Sequence, residues 1–284
     1  MSLAHLRQMP PQAQRRRCAA VVPQRCWDHL AVLSPRLAGG ADNEAAMRVT
    51  LPDPGRTLHM RIPAEPFDGD YCLSLDLEDI GAGQLEMGFI IINDLTAPRF
   101  NIDRLPDGTP THFGTAARHY EAELAAMRHG LGPCQVRRGL RMFDQLLPQL
   151  EAFMADLGYV SLSLRPLTYH TAVMYERRGF GYVIGRRRMM QINSAFAPGG
   201  ALARRMDLST PFRDPSSTHT PRGRSWAIHD GILEHLDGDH SFEMQMFKLP
   251  GVDANQHTFA LDPRVYQQPS WPSLSASESR GRSA

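Results

Sequence analysis

A chain of 284 residues that is 42% hydrophobic and 21% charged can bury a sizeable core in one large or two modest domains, which excludes disorder throughout. A net charge of +1 excludes the global basic field behind sequence-independent nucleic-acid binding, so no nucleic-acid partner is expected. Cys18, Cys26, Cys72 and Cys134 form no C-x-x-C pair, and no apolar run is long enough to span a membrane. A cytoplasmic, reducing setting is therefore the expectation. Lys248 is the only lysine, so Schiff-base chemistry would have to use it.

Residues 1–14 read as a loose leader. Residues 1–27 carry no acid and five arginines, as organelle transit segments do, although Pro10, Pro11 and the scarcity of serine argue against that use. From Arg15 to Leu37, Ala19, Val22, Trp27, Leu30 and Leu33 suggest short helices interrupted by Pro23. Met47 to Ile102 reads as an antiparallel meander. Leu58, Met60 and Ile62 alternate with polar residues, as do Tyr71, Leu73, Leu75 and Leu77. Gly81 and Gly83 mark a turn, and Phe89-Ile90-Ile91-Ile92 is the centre of a strand expected to be buried on both faces. Pro98 to Ile102 is a candidate edge strand.

Thr115 to Met127 predicts a helix capped by Thr115 and ended by His129-Gly130. A second helix is expected to open at Pro133, because Val136, Leu140, Phe143, Leu147, Leu150, Met154 and Leu157 form one apolar stripe, with Pro148 as a kink. Tyr159 to Leu164 alternates as a strand, and Tyr169 to Arg178 follows as a helix with Thr168 as N-cap and Gly179 beyond its end. Phe180, Tyr182 and Ile184 return to a sheet. After Ile192, a prolines-and-glycines stretch argues for an irregular excursion, with Ala201–Met206, Ser225–Ile232 and Phe242–Leu249 as short ordered candidates. From Tyr266 the composition predicts a disordered tail.

The phrase Met174-Tyr175-Glu176-Arg177-Arg178-Gly179-Phe180, placed on a helix between two strands, resembles the C-terminal half of the GNAT family, the acyl-CoA-dependent N-acyltransferases. The resemblance covers residues 158–182. It implies an α+β fold with a mixed, mostly antiparallel sheet flanked by helices, a GNAT-like core over 15–195 and an irregular extension over 196–265, before the tail at 266–284. It also implies acyl-CoA as co-substrate, an amine of an unknown acceptor as the second partner, and Tyr175 as the acid that protonates the departing CoA thiolate. Thr168 stands where the family often has Asn, and Thr171 where it often has Ala.

The same resemblance implies a loop whose amides cradle the CoA pyrophosphate at a helix N-terminus, in the family pattern Arg/Gln-x-x-Gly-x-Gly/Ala. Val136-Arg137-Arg138-Gly139-Leu140-Arg141 has the right spacing before the strand, with Val136 and Arg141 departing from the pattern. Arg128-His129-Gly130-Leu131-Gly132 has the two glycines, but its arginine is one step off. Arg137, Arg138, Gly139, Leu140 and Arg141 are therefore the preferred cofactor-binding residues. Glu86, Asp94 and Asp103 are open candidates for the base, Glu86 foremost.

Two alternatives stand beside acyl transfer. His119 and Glu123, four apart on an expected helix with His112 upstream, are possible metal ligands, as are His229, Asp230, His235, Asp237, Asp239 and His240. A non-catalytic interaction module is the other. Gly223-Arg224-Ser225-Trp226-Ala227 with nearby His229 lacks the second glycine of a nucleophile elbow, so Trp226 and Ile228 are expected to pin the excursion instead.

Overall fold

The computed structural model describes residues 2–33, 43–114, 116–236, 238 and 241–259; the expected tail lies outside them. The protein is α+β. One seven-stranded sheet, mixed and mostly antiparallel, runs in the order β1-β2-β3-β4-β5-β7-β6. Its first four strands are the meander: β1 (Arg48–Thr50), β2 (Thr57–Ile62), β3 (Leu73–Gly81) and β4 (Gln84–Ile92). The alternation in β2 buries Leu58, Met60 and Ile62 completely. The hairpin from β3 to β4 turns on Ala82 and Gly83, both at positive φ, as a tight antiparallel turn demands.

Crossing from β4 to its parallel neighbour β5 (Ser161–Leu164) takes the chain through α4 (Tyr120–Arg128) and α5 (Phe143–Asp156). Next come α6 (Tyr169–Glu176) and β6 (Gly181–Ile184). Thr168 and Thr171 form a reciprocal capping box at the start of α6, and Gly179 adopts φ +79° just past its end. One core joins the sheet to the helices, with Leu73, Leu75, Leu150, Met154, Tyr169 and Met246 among its members.

Several expectations fail for identifiable reasons. The leader is not loose: α1 spans Leu3–Arg7, Leu3 and Leu6 are fully buried, and the Leu3 amide donates to the Tyr159 hydroxyl at 3.0 Å. The two helices that follow, α2 (Pro11–Ala19) and α3 (Gln24–Leu33), break at Pro23 as expected. Residues 98–102 form no strand. The helix expected from Thr115 starts at Tyr120, and Thr115 itself lies outside the described residues. No helix opens at Pro133. Cys134 and Arg141 sit at φ +68° and +54°, and the carbonyls of Val136 and Arg138 accept from Phe100 and Asp94 rather than from a following turn. Residues 196–259 are no appendage either, because β7 (Gln245–Lys248) inserts between β5 and β6, so no boundary falls at 195. That region also holds α8 (Pro221–His229). Residues 186–195 form a further unexpected helix, α7 (Arg186–Ala195).

Candidate functional site

β4 pairs with β5 only from Gln84 to Met87, opposite Ser161 to Leu164, whereas it stays paired with β3 as far as Ile92. The two parallel strands part at Met87. At that step the β3 pairing skips Gly88, because Leu77 faces Met87 and Asp76 faces Phe89. An extra residue in one strand bends it and increases its twist, which turns the rest of β4 away from β5. Past the branch, no backbone hydrogen bond joins residues 88–92 to anything on the β5 side among the described residues. Phe89, Ile90, Ile91 and Ile92 are accordingly half-buried, not enclosed on both faces. The continuous apolar run lies along a strand edge that β5 does not cover, with Ile90 and Ile92 packed against the core.

Two polar side chains mark the branch. Glu86 faces Ser163 across the β4–β5 pair, and its Oε1 lies 3.7 Å from Arg165 Nε. The Ser163 hydroxyl is buried and has no hydrogen-bond partner in the protein. A buried hydroxyl without a partner is uncommon in a native fold.

Beside Ile92, at the end of β4, lies the loop that leads into α5. Gly139 is a tight fit there, because a Cβ would lie 3.0 Å from the Ile92 carbonyl oxygen and one of the two would have to give by a few tenths of an ångström. The arginines of this loop divide sharply. Arg137 is buried and spoken for: it donates to Asp70 (2.7 Å), Asp68 (2.6 Å) and the Ala97 carbonyl (2.6 Å). Its assignment to a phosphate is corrected, since those carboxylates already occupy the guanidinium. Leu140 is likewise a core residue and offers only its backbone. Arg138 is 63% exposed and bonds Asp94 at 2.6 Å with one nitrogen. Burial alone would raise Asp94, but hydrogen bonds from Thr96 and Arg138 hold its carboxyl below the usual range. Arg141, exposed and left-handed, immediately precedes the N-cap of α5, Met142.

Tyr175 lies on α6 and is 6% exposed. Its ring meets Phe143, the first residue of α5, edge-on at 5.6 Å, and Phe180 at 5.2 Å. The tyrosine and the loop thus share a neighbour at the α5 N-terminus. Burial pushes the phenol well up, with the nearby Arg178 opposing. It keeps its proton, which makes it a donor and not a base.

The histidine clusters do not assemble. His119 is the N-cap of α4, and its Nδ1 reaches the carbonyls of Asn101 and Arg104 at 2.9 and 2.8 Å. Glu123 turns instead to Arg118 (2.5 Å) and to His229 Nε2 (3.2 Å). Their different partners separate the pair expected to share a metal, and among the described residues no three His, Cys, Asp or Glu side chains are grouped to hold one. Asp230 is engaged by Arg118, Arg213 and Thr210, while Asp237, Asp239 and His240 lie outside the described residues.

Ser225 is buried on α8, and its partner is His170 rather than His229, with Oγ 2.7 Å from the His170 amide and 3.0 Å from Nδ1. Trp226 does pin the excursion, donating to the Leu131 carbonyl at 2.8 Å. The bulge at Gly88 and the partnerless Ser163 escaped sequence reading. A glycine inside an apolar strand was the one available signal. No family model, curated protein or solved structure matches this chain.

Proposed function

We propose that the chain transfers an acyl group from acyl-CoA to an amine of an acceptor molecule, using the cleft between β4 and β5. The observation that carries this reading is the parting of two parallel strands at Met87 and Leu164, with the β4 edge unpaired beyond it. An extended ligand arm bearing amides can hydrogen-bond to such an edge as an added strand would. The pantetheine arm of CoA is an arm of that kind. The strand order, the loop ahead of α5 and Tyr175 on the helix between β5 and β6 are each in keeping with the resemblance to the acyl-CoA-dependent N-acyltransferases.

In this reading the backbone around Gly139 and the side chains of Arg138 and Arg141 receive the phosphates at the start of α5, where free amides and the helix dipole favour anions. Arg137 holds the loop in place from beneath. The acceptor nitrogen attacks the thioester carbonyl; the C–N bond forms as the C–S bond breaks. The sulfur takes its proton from the Tyr175 hydroxyl, and Glu86, directly or through water, takes the proton that nitrogen loses.

The test is thermal denaturation with acetyl-CoA and longer acyl-CoAs. Ligand at 100 times its Kd should stabilise the fold by about 2.7 kcal/mol and raise Tm visibly. No shift with any acyl-CoA at millimolar concentration overturns the reading.

A further inference from the structure

Charge is distributed very unevenly along this chain. Residues 177–206 contain Arg177, Arg178, Arg186, Arg187, Arg188, Arg204 and Arg205 and not one acidic residue, although the whole protein carries only +1. Arg186, Arg187 and Arg188 fill the first turn of α7, where no acidic side chain accompanies them. That turn is the positive end of the helix dipole, so cations there are disfavoured by the fold itself. None of Arg186, Arg187, Arg188, Arg204 and Arg205 makes an ion pair among the described residues. Arg188 is half-buried, with Nε and Nη2 enclosed, and bonds Gln191, while Arg204 bonds the Gly199 carbonyl; Arg186, Arg187, Arg204 and Arg205 are exposed. The fold holds an uncompensated positive focus on its surface.

Large apolar side chains stand beside it. Val183 and Ile184, at the end of the edge strand β6, are 58% and 56% exposed, and Met190 on α7 is 49% exposed. Gly185 joins the two elements as a left-handed N-cap, φ +101°, a conformation that residues with side chains rarely adopt. This one-residue turn sets the tip of β6 directly against the first turn of α7. Met190 follows Arg186 by four residues and shares its helix face, while Met189 and Ile192 bury the adjoining face in the core. Residues 200–202 fold back on the end of α7, with the Leu202 amide donating to the Ala195 carbonyl, and bring Arg204 and Arg205 after them.

We infer that this surface, formed by the end of β6, the exposed face of α7 and the turn at 203–205, docks the protein on an anionic lipid bilayer. Unpaired arginines meet the headgroup charge, and Val183, Ile184 and Met190 enter the boundary below it. A nucleic-acid partner fits less well, because the aromatic residues of this stretch do not stand out for base stacking: Phe180 and Phe196 are buried, and Tyr182 donates to Glu176. The inference stands on charge and exposure, and does not depend on acyl transfer.

The experiment is co-sedimentation of the full chain with vesicles of phosphatidylcholine alone and of phosphatidylcholine with phosphatidylserine, at physiological ionic strength. The expected result is binding only where phosphatidylserine is present. Neutralising an arginine near an anionic surface should weaken binding roughly fivefold, so the double charge reversal Arg186→Glu/Arg187→Glu should weaken it at least about 25-fold. Ile184→Ser/Met190→Ser should weaken it too, with Tm unchanged, because all four side chains are exposed. Should the first pair disturb the fold, Arg204→Glu/Arg205→Glu reads the same charge from a separate segment. Equal sedimentation with both vesicle types, or none, overturns the inference. So does binding that is indifferent to Ile184→Ser/Met190→Ser and is displaced by a single-stranded oligonucleotide, which would make the surface a general polyanion site.

Discussion

From Gln84 to Met87, β4 is paired on both sides, to β3 and to β5; Gly88 is bulged out, and from Phe89 to Ile92 the strand is paired to β3 alone. In the first half Leu85 and Met87 are buried, while in the second four consecutive apolar residues are only half-buried. The difference between the halves is one inserted residue. Hydrophobicity alone would rank the second half as the deeper core, so what decides its role is whether a neighbouring strand completes the ladder. The first half holds the sheet together. The second leaves the β5-side edge of the strand without a strand partner among the described residues.

The sharpest way to break this contrast is at Tyr175. Tyr175→Phe keeps the ring against Phe143 and Phe180 and removes only the proton donor. Turnover of acyl-CoA should fall by about 10²–10⁴-fold, with Tm and KM little changed. A variant with undiminished turnover would remove the tyrosine from the mechanism. Next in size is Arg137→Ala, which strands the buried Asp70 carboxylate and should cost about 3–5 kcal/mol in denaturant unfolding, partly offset by Arg99, which also reaches Asp70. Arg138→Ala, at an exposed pair, should cost less than about 1 kcal/mol of stability and weaken acyl-CoA binding instead. Equal stability losses from the two would deny the division of labour within the loop.

The two halves of β4 can also be weighed directly. Leu85→Ala removes a fully buried side chain beside β5 and should cost about 2–5 kcal/mol, whereas Ile91→Ala in the open half should cost about 1 kcal/mol. A reversed order would mean that the cleft is closed in solution.

A pH-dependent effect concerns the start of α6, where His170 meets Ser225 of α8. His170, whose Nε2 has no partner and packs against Gly132, has its pKa lowered from 6.5 to about 3 by burial, with Arg222 adding to the shift. The unfolded chain binds this proton near pH 6.5 and the folded chain does not, so stability is complete above 6.5 and is lost as pH falls toward 3. In a series of unfolding curves, His170→Asn should flatten the profile across that window. An unchanged slope would assign the acid sensitivity to other groups.

Much of the architecture was legible where local pattern and tertiary environment agree. β2 and β3 alternate because each has one buried face, and α6 announces itself through Thr168 and Gly179. The failures share a cause: burial without regular structure, or regular structure without a strong pattern. Val136 and Leu140 are buried as expected, yet in a loop, since left-handed Cys134 and Arg141 and hydrogen bonds to residues 94–100 outweigh helical spacing. β7 is only four residues long, and its place between β5 and β6 follows from long-range pairing that no local window contains. For the candidate site, the resemblance implied Tyr175 and residues 137–141. It could not separate Arg137 from Arg138, because Asp68 and Asp70 lie almost 70 residues away in sequence.

Hydrogen exchange of the β4 amides, followed with and without acyl-CoA, tests the cleft most directly. Residues 84–87 should be protected in both states, and cleft-facing amides within 88–92 should exchange readily in the free protein and slow when acyl-CoA binds. Ligand that binds while 88–92 stays unchanged, or 88–92 already protected to the level of 84–87 in its absence, would contradict the claim that the parted strands form the binding site.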